Sequence, residues 1–377
     1  MTRYETYALV DLELLGRNLR AISLHTRSEQ LLLPVKANAY GHGLIEVATA
    51  VERNHWADWF GVATVSEAVA LRQAGLTSPI LKLSVAAPEL LDQALAAKTR
   101  LTIVDRDSAA AAEAAADRAG QIAWVHLKVD SGMRRLGVEP AAAAELAAFV
   151  EAQPHLWLEG VFTHFAASDD PAQDDFTAEQ WGRFQAAAQA IQERLGRAVE
   201  LVHAANSGAV LAHPETWGNM VRPGILSYGY YPDPATPRTV EVEPVLSWLS
   251  RTSFVKTVPA GQTVSYGRTW APTRDTQVAT VPVGYGDGYS RRLSGRASVL
   301  IDGKRRPVVG RVCMDQLMVD LGRASKVGAG QPVVLLGRSG SQRISADDLG
   351  QATGTISYEV LCAIAQRVPR VYQSYRD

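Results

Sequence analysis

Cysteine is almost missing from this chain, which has only Cys313 and Cys362. So few cysteines exclude a disulfide framework and a paired CxxC metal site, and they favour a protein of the reducing cytoplasm. The chain also lacks any apolar run of about 18 residues, the length that a membrane helix needs. Acidic residues interrupt the segment 1–20, where a signal peptide would be continuously apolar. We therefore expect neither a membrane span nor a secretion signal.

A surplus of positive charge is missing as well. The 38 lysines and arginines are balanced by 39 aspartates and glutamates, so the net charge is −1. This balance argues against a broad basic face for nucleic acid and against a polybasic membrane anchor. What the chain has instead is 377 residues, 47% of them hydrophobic. Such a length and composition predict two buried cores and hence two domains.

Lysine is the scarce basic residue, with seven examples among the 38. Two of them, Lys36 and Lys128, lie at the ends of strongly apolar runs. Lysine seldom tolerates burial, so these two positions are candidates for chemistry.

Eight short apolar runs alternate with amphipathic segments over residues 7–230. They are rich in β-branched and aliphatic residues, as is typical of strands buried on both faces. The runs are 31–36, 59–64, 79–84, 100–105, 122–130, 158–165, 199–205 and 220–226. The segments between them have helical periodicity, and in the segment 107–120 we predict Asp107 as the N-cap. This alternation predicts the α/β class, with a (β/α)8 barrel of the TIM type.

A proline-rich segment, 230–244, ends this pattern, and we place a domain boundary within it. The chain beyond has period-two apolar patterns and tight turns, including an Asp-Gly hairpin turn in IDGKRRP. The predicted domains are residues 1–235, the barrel, and residues 236–377, a mainly antiparallel β domain.

Polar residues recur at the C-terminal ends of the first, fifth, sixth, seventh and eighth predicted strands, where barrel enzymes have their active sites. They are Lys36, Lys128, Asp130, Arg135, His164, His203, Asn206, Ser207 and Arg222. A desolvated lysine at this rim would have a lowered pKa and a free amine for a Schiff base. A single lysine at a strand end would more simply reach out to water. Five strands that share one rim indicate a common pocket.

Part of this rim suits a phosphate group. Ser207 has a hydroxyl, and Gly224 and Ile225 have backbone N–H groups after the eighth strand, where barrels commonly bind phosphate. A lysine beside a phosphate site predicts pyridoxal phosphate as the cofactor. Arg222 could only donate to the pyridine nitrogen of that cofactor, since arginine stays protonated. Such a donor favours proton exchange over decarboxylation or transamination.

Motifs along the whole chain resemble those of the alanine racemase family. They are PVKANAYGHG, LKVDSGMRRLG, THFA, HAANS and VRPGI in the first predicted domain, and VSYGRTW, VPVGYGDGY, GRVCMDQ and ISYEVL in the second. The resemblance implies a pyridoxal-phosphate-dependent enzyme with a barrel and a C-terminal β domain. It further implies interconversion of L-alanine and D-alanine, with D-alanine supplied to peptidoglycan.

The resemblance assigns roles around the cofactor. Lys36 matches the lysine that becomes N6-pyridoxal-phosphate lysine and acts as base on one face of the substrate. Tyr266 is similar to the base on the opposite face, which the partner subunit of a homodimer supplies. Arg222 matches the partner of the pyridine nitrogen, and His164 a residue hydrogen-bonded around Arg222 and Tyr266. The cofactor's other contacts match Tyr40, Asn206, Ser207, Gly224, Ile225 and Tyr358.

The resemblance also assigns substrate contacts. Arg135 and Met314 match groups that receive the substrate carboxylate, with Asp315 beside them, and Tyr285 matches a tyrosine at the channel entrance. Lys128 matches a lysine that is often carbamylated. A carbamate there would be an anion able to pair with Arg135.

Three other functions fit parts of the pattern. A racemase for serine or another small amino acid would need only a slightly different pocket. A pyridoxal-phosphate-binding protein without turnover would not need Tyr266, Met314 and Tyr358. A decarboxylase on a similar fold is disfavoured by Arg222.

Positive charge on His164 and Arg222 is expected to lower the pKa of Tyr266.

Overall fold

The computed structural model describes residues 5–373, and the chain divides into two compact units. The barrel unit comprises Leu15–Ala39 and Leu44–Glu243. The sheet unit comprises the described residues up to Leu14, the short segment Tyr40–Gly43 and the chain from Pro244 onward.

The barrel unit contains eight parallel strands. After β1 (Tyr7–Asp11), which belongs to the sheet unit, they are β2 (Gln30–Pro34), β3 (Trp59–Val62), β4 (Ile80–Lys82), β5 (Thr99–Ile103), β6 (Ala123–Lys128), β7 (Leu156–Phe162), β8 (Leu201–His203) and β9 (Met220–Val221). Strands β2 to β8 lie side by side in chain order, and β9 pairs with β2. The backbone N–H of Arg222, just after β9, donates to the carbonyl of Ala205, just after β8, over 2.9 Å. The sheet is therefore a nearly closed barrel, and the predicted fold class is confirmed.

One helix precedes β2, and the others connect successive barrel strands. They are α1 (Leu12–Thr26), the short turn α2 (Lys36–Tyr40), α3 (Leu44–Arg53), α4 (Val65–Gln73), α5 (Leu91–Ala96), α6 (Arg106–Ala119), α7 (Ala143–Glu151), α8 (Asp174–Leu195) and α9 (Ser207–Ala212). The predicted cap of α6 was wrong: Asp105 is the N-cap, and its carboxylate accepts from the N–H of Ser108 over 2.7 Å. Asp107 lies inside the first turn, where an acidic side chain suits the helix dipole.

The sheet unit is built on a ten-stranded, mainly antiparallel sheet. Its further elements are β10 (Leu246–Arg251), β11 (Phe254–Val258), β12 (Thr276–Val281), β13 (Ser298–Ile301), β14 (Lys304–Val309), β15 (Leu317–Gly322), β16 (Pro332–Ser339), β17 (Gln342–Ile344), α10 (Ala346–Thr353), α11 (Ser357–Cys362) and β18 (Arg370–Gln373). The strand order is β11-β12-β15-β14-β13-β16-β10-β1-β18, with β17 beside β16. Asp302 and Gly303 have φ angles of 52° and 69° and close the β13–β14 hairpin, as the Asp-Gly pattern predicts.

The observed division differs from the predicted domains 1–235 and 236–377. Strand β1 pairs antiparallel with β10 and parallel with β18, so it belongs to the sheet unit and not to the barrel. The boundary in the proline-rich segment falls at Glu243 and Pro244, because β10 begins directly afterwards. No helix in residues 5–373 is long and apolar enough to cross a membrane.

Candidate active site

The chain after β2 forms a left-handed turn that begins at Lys36. Residues 37–40 have φ angles of 52° to 56°, a conformation that costs roughly 1–2 kcal/mol per residue outside glycine. Two hydrogen bonds hold it in the barrel unit: the N–H of Ala37 donates to Glu67 Oε1 over 2.7 Å, and Asn38 Oδ1 accepts from the N–H of Leu44 over 2.8 Å. Backbone strain of this kind is typical of functional sites.

Lys128, the last residue of β6, is buried, with 4% of its surface exposed. Its Nζ lies 5.1 Å from the centre of the Phe162 ring, and no oxygen in the described chain accepts a hydrogen bond from it. Burial lowers its pKa to about 7, with further lowering by the positive charges of Arg135, Arg222 and Lys36. The barrel rim thus brings these four predicted site residues within electrostatic reach of one another.

Two neighbouring arginines, Arg134 and Arg135, have different surroundings. Arg134 forms an exposed ion pair with Glu139, whereas the charge of Arg135 acts on Lys128 and on His164. Of the two, Arg135 is the arginine whose positive charge reaches other predicted site residues, and its contact with the substrate carboxylate stays a prediction.

Arg222 is buried just after β9 and fixed by three acceptors. Its Nη1 donates to His203 Nδ1 over 2.9 Å, and its Nη2 donates to the carbonyls of Thr163 and Ala204 over 2.8 and 2.9 Å. Burial lowers its pKa to about 9, so it is still a cation at pH 7. A guanidinium has five N–H bonds, and two of them, including the Nε–H, have no acceptor in residues 5–373. These remaining donors suit an acceptor atom such as a pyridine nitrogen.

His164 follows β7 and is neutral near pH 7. Burial and the charges of Arg222, Lys128, Arg135 and Lys36 hold its pKa well below the usual value for histidine. The expectation that His164 would add positive charge to the site is therefore wrong. Arg222 is the residue of that pair that retains a positive charge.

Buried N–H groups line the rim after β8 and β9. Within the part of the chain that is described, the backbone amides of Ser207, Gly224 and Ile225 donate to no acceptor, although all three residues are buried. The hydroxyl of Ser207 lies beside them and accepts from the N–H of Leu226 over 3.3 Å. Unpartnered buried donors are costly unless a ligand accepts from them, and a phosphate has the acceptors they lack.

Asn206 lies next to these amides, but its side-chain oxygen has other partners. It accepts from the N–H of Ala209, which caps α9, and from Ser168 Oγ over 2.7 Å. That oxygen therefore orients the start of α9.

The sheet unit holds the remaining predicted site residues. The rings of Tyr40 and Tyr358 lie 6.1 Å apart, and burial raises the pKa of Tyr40 above its usual range. Tyr40 can therefore present its hydroxyl as a neutral donor.

Tyr266, Tyr285 and Met314 are exposed, and 71% of the Tyr266 surface is accessible. The loop at Tyr285 is tied to the Met314 segment, because the N–H of Tyr285 donates to the carbonyl of Cys313 over 3.0 Å. Only glycine fits at Gly284, where a Cβ would lie 2.2 Å from that same carbonyl oxygen. This close approach positions Tyr285 and Met314 next to each other.

Asp315 has a partner that the sequence did not indicate. Arg367 donates from Nη2 to Asp315 Oδ1 and from Nε to Asp287 Oδ1, each over 2.7 Å. An exposed arginine in a loop near the C-terminus carries no recognisable pattern. The other residues missed from the sequence are partners of the Arg222 network: Thr163, His126, Glu159 and Arg100.

Comparisons with known proteins match almost the whole chain. Residues 10–232 match the family model of the alanine racemase N-terminal domain, and residues 245–372 match that of the C-terminal domain. An alanine racemase of Cutibacterium acnes is 47% identical over 367 residues, which cover 97% of both chains. One from Symbiobacterium thermophilum is 43% identical over 368 residues, again 97% of both. The solved structure of an alanine racemase from Clostridium difficile 630 superposes with a TM-score of 0.94 at 34% identity, covering 99% of this chain and 97% of that one.

Proposed function

The chain belongs to the alanine racemase family, and we propose that it interconverts L-alanine and D-alanine with pyridoxal phosphate as cofactor. The observation that carries the proposal is the shared rim of the barrel. It presents Lys36, the fixed cation Arg222 and the unpartnered amides of Ser207, Gly224 and Ile225.

The rim residues fit the cofactor's functional groups. Lys36 would hold the cofactor covalently, the free N–H groups near Ser207 would bind its phosphate, and Tyr40 and Tyr358 would add hydroxyl donors. When bound, pyridoxal phosphate withdraws electrons and so acidifies the α-hydrogen of the amino acid. Arg222 remains protonated, so an acceptor nitrogen that faces it stays unprotonated.

We propose Lys36 and Tyr266 as the two bases. Racemisation needs one group to remove the α-proton and a second to deliver a proton from the opposite face. The high exposure of Tyr266 in a single chain supports its use by a partner subunit in a homodimer with shared active sites. His164 is neutral, so Arg222 is the cation that would favour the phenolate form of this tyrosine.

Substrate binding would use Arg135 and the Met314 segment for the carboxylate. Asp315, held by Arg367, would stand beside them, and Tyr285 would line the approach to the site. Lys128 is proposed to carry a carbamate. Its pKa of about 7 leaves a neutral amine available to react with carbon dioxide, and the resulting anion would lie among cations that include Arg135.

We also propose a cellular role. D-alanine is needed for peptidoglycan, and a cytoplasmic enzyme would supply it there. The two units would then have separate roles: the barrel unit provides Lys36 for the cofactor, and the sheet unit provides Tyr266 to the partner.

A comparison of substrates tests the alanine assignment. We expect kcat/KM for L-alanine to exceed that for L-serine by roughly tenfold or more, since one added hydroxyl changes binding by about 1–3 kcal/mol. An equal or higher value for L-serine would assign the chain to the serine alternative. Cofactor binding without turnover of either amino acid would favour the non-catalytic alternative.

Tyr266→Phe tests the assignment of the two bases. Because the phenol would serve one face of the substrate, we expect proton exchange to fail chiefly with one enantiomer. The measurement is exchange of the α-hydrogen with deuterium from solvent, starting from each enantiomer separately. An equally mild loss with both would contradict the two-base proposal. Tyr231→Phe is the matched control, because the Tyr231 hydroxyl donates to the carbonyl of Val240 and has no proposed role in the site.

A further inference from the structure

A chain of buried hydrogen bonds runs from Arg222 into the barrel interior. His203 Nδ1 contacts Arg222 Nη1 at 2.9 Å, and His203 Nε2 contacts His126 Nδ1 at 2.9 Å. His126 Nε2 contacts Glu159 Oε2 at 3.2 Å, and Arg100 Nε contacts the same oxygen at 3.2 Å. We call these five residues the buried polar chain.

The two ends of this chain determine where each proton lies. Arginine has no acceptor, so His203 Nδ1 must accept from Arg222 and therefore carries no hydrogen. The hydrogen of a neutral His203 is then on Nε2 and is donated to His126 Nδ1. By the same argument His126 carries its hydrogen on Nε2 and donates it to the Glu159 carboxylate. Each donor along the chain thus faces an acceptor.

The charges agree with this order. Burial lowers the pKa of both histidines, and the positive charge of Arg222 adds to the effect at each, so both rings are neutral near pH 7. Burial alone would raise the pKa of Glu159, but the His126 hydrogen bond and the Arg100 charge hold it below its usual value. The acceptor at the far end is therefore an ionised carboxylate.

Packing leaves these rings little freedom. The His203 ring is stacked on Phe162 at an interplanar angle of 3° and a centroid distance of 4.9 Å. Gly160 provides the space for His126, because a Cβ at that position would lie 2.5 Å from His126 Nδ1. Gly160 does not have a positive φ angle, so the need for glycine here is steric and concerns the atom that accepts from His203.

We propose that His126 and Glu159 are positioning residues that fix His203 as the Nε2–H tautomer and so hold the Arg222 guanidinium at the rim as a donor. If His203 carried its hydrogen on Nδ1, that N–H would oppose the Nη1 donor of Arg222, and the guanidinium would lose its acceptor. The tautomer assignment stands on this geometry alone. Its use in catalysis rests on the proposed function.

Gly160→Ala tests this role without removing any titratable group. The added methyl group displaces the His126 ring, so His203 Nε2–H loses its acceptor. We expect kcat for L-alanine to fall about tenfold, with KM changed less than about twofold. A loss of this size is typical when the hydrogen-bond partner of a residue that binds the ligand is removed. Gly182→Ala on α8 is the control, because no atom beyond the backbone of its own helix lies within 4 Å of the added Cβ.

Nitrogen NMR of the histidine-labelled holoenzyme reports the tautomers directly. In the wild-type protein we expect Nδ1 unprotonated and Nε2 protonated for both His126 and His203. The Gly160→Ala variant should lose this pattern at His203, and Glu159→Leu should do so by removing the terminal acceptor. Glu159→Gln retains an acceptor oxygen and should restore the pattern. The use of two different sites keeps the test available if one variant fails to fold.

Two results would overturn the inference. One is a protonated Nδ1 on His203 in the wild-type protein. The other is a Gly160→Ala or Glu159→Leu variant that keeps the His203 tautomer and has the kcat of the Gly182→Ala control. Absence of D-alanine formation by the wild-type chain would defeat the proposed function only, because the nitrogen resonances decide the tautomers without turnover.

Discussion

Two barrel strands end on a buried lysine, and the two lysines have opposite surroundings. Lys82 ends β4 with 5% of its surface exposed, and Lys128 ends β6 with 4% exposed. The Nζ of Lys82 donates to both oxygens of Ser84 and to the carbonyl of Val85 over 2.8 to 3.0 Å. The Nζ of Lys128 has no such acceptor in the described residues and lies over the Phe162 ring.

The difference shows that burial at a strand end does not by itself mark a reactive amine. Burial lowers the pKa of Lys82, but three acceptors stabilise its ammonium form and the Glu67 charge opposes the shift. Lys128 has three cationic neighbours, whose effect together with burial outweighs the opposing charge of Asp130, and its pKa falls to about 7. Lys82 therefore ties a loop to the barrel, whereas Lys128 has the properties of a nucleophile.

The largest effect is expected at Lys36, the third lysine near this rim. Lys36→Ala should lower kcat/KM by at least about 1,000-fold, since it removes both the covalent anchor and one proposed base. Mass spectrometry after borohydride reduction should find no cofactor on the variant. Lys82→Ala is the control, and it should keep the cofactor. Cofactor on Lys82 or Lys128 in the wild-type protein would refute the assignment.

Methionine substitutions should separate the two buried lysines. Lys128→Met is expected to lower kcat/KM about tenfold, by leaving Arg135 without the proposed carbamate as its counter-ion. Lys82→Met should leave kcat/KM within about threefold but lower the free energy of unfolding by about 1 kcal/mol, because the part-buried carbonyls of Ser84 and Val85 lose their donor. Steady-state kinetics and denaturant unfolding measure the two effects. A larger loss of kcat/KM for Lys82→Met than for Lys128→Met would contradict this distinction between the two lysines.

A smaller, pH-dependent effect is expected for the carbamate. An amine reacts with carbon dioxide only when it is unprotonated, and the folded-state pKa of Lys128 is lowered to about 7. Labelling by ¹³C-bicarbonate should therefore fall below pH 7 and rise as the pH increases from about 6 to 8. NMR of the labelled carbon measures it, with Lys128→Met as the blank. Label that is unchanged in this variant would place the carbamate elsewhere.

The sequence predicted secondary structure where several consecutive residues are buried together. All eight apolar runs overlap a barrel strand, because buried parallel strands need continuous apolar residues. The sequence did not predict that β1 belongs to the sheet unit, because its partners β10 and β18 lie more than 200 residues away. Local patterning does not identify such a distant partner.

Prediction of the site had a similar limit. Rim residues could be selected because they interrupt apolar runs at strand ends. His126 and Glu159 lie within strands β6 and β7. The role of a polar residue inside a strand cannot be predicted until its hydrogen-bond partners on neighbouring strands are known. The pKa of Lys128 likewise depends on cations from three other segments, so the spacing of residues cannot supply it.

Racemisation itself is measured by incubating the purified chain with pyridoxal phosphate and L-alanine and determining D-alanine on a chiral column. Enantiomers have equal free energies, so we expect equal amounts of both at equilibrium, whichever enantiomer is supplied, and no conversion by Lys36→Ala. Formation of pyruvate or ethylamine in place of D-alanine, or no conversion by the cofactor-loaded protein, would contradict it.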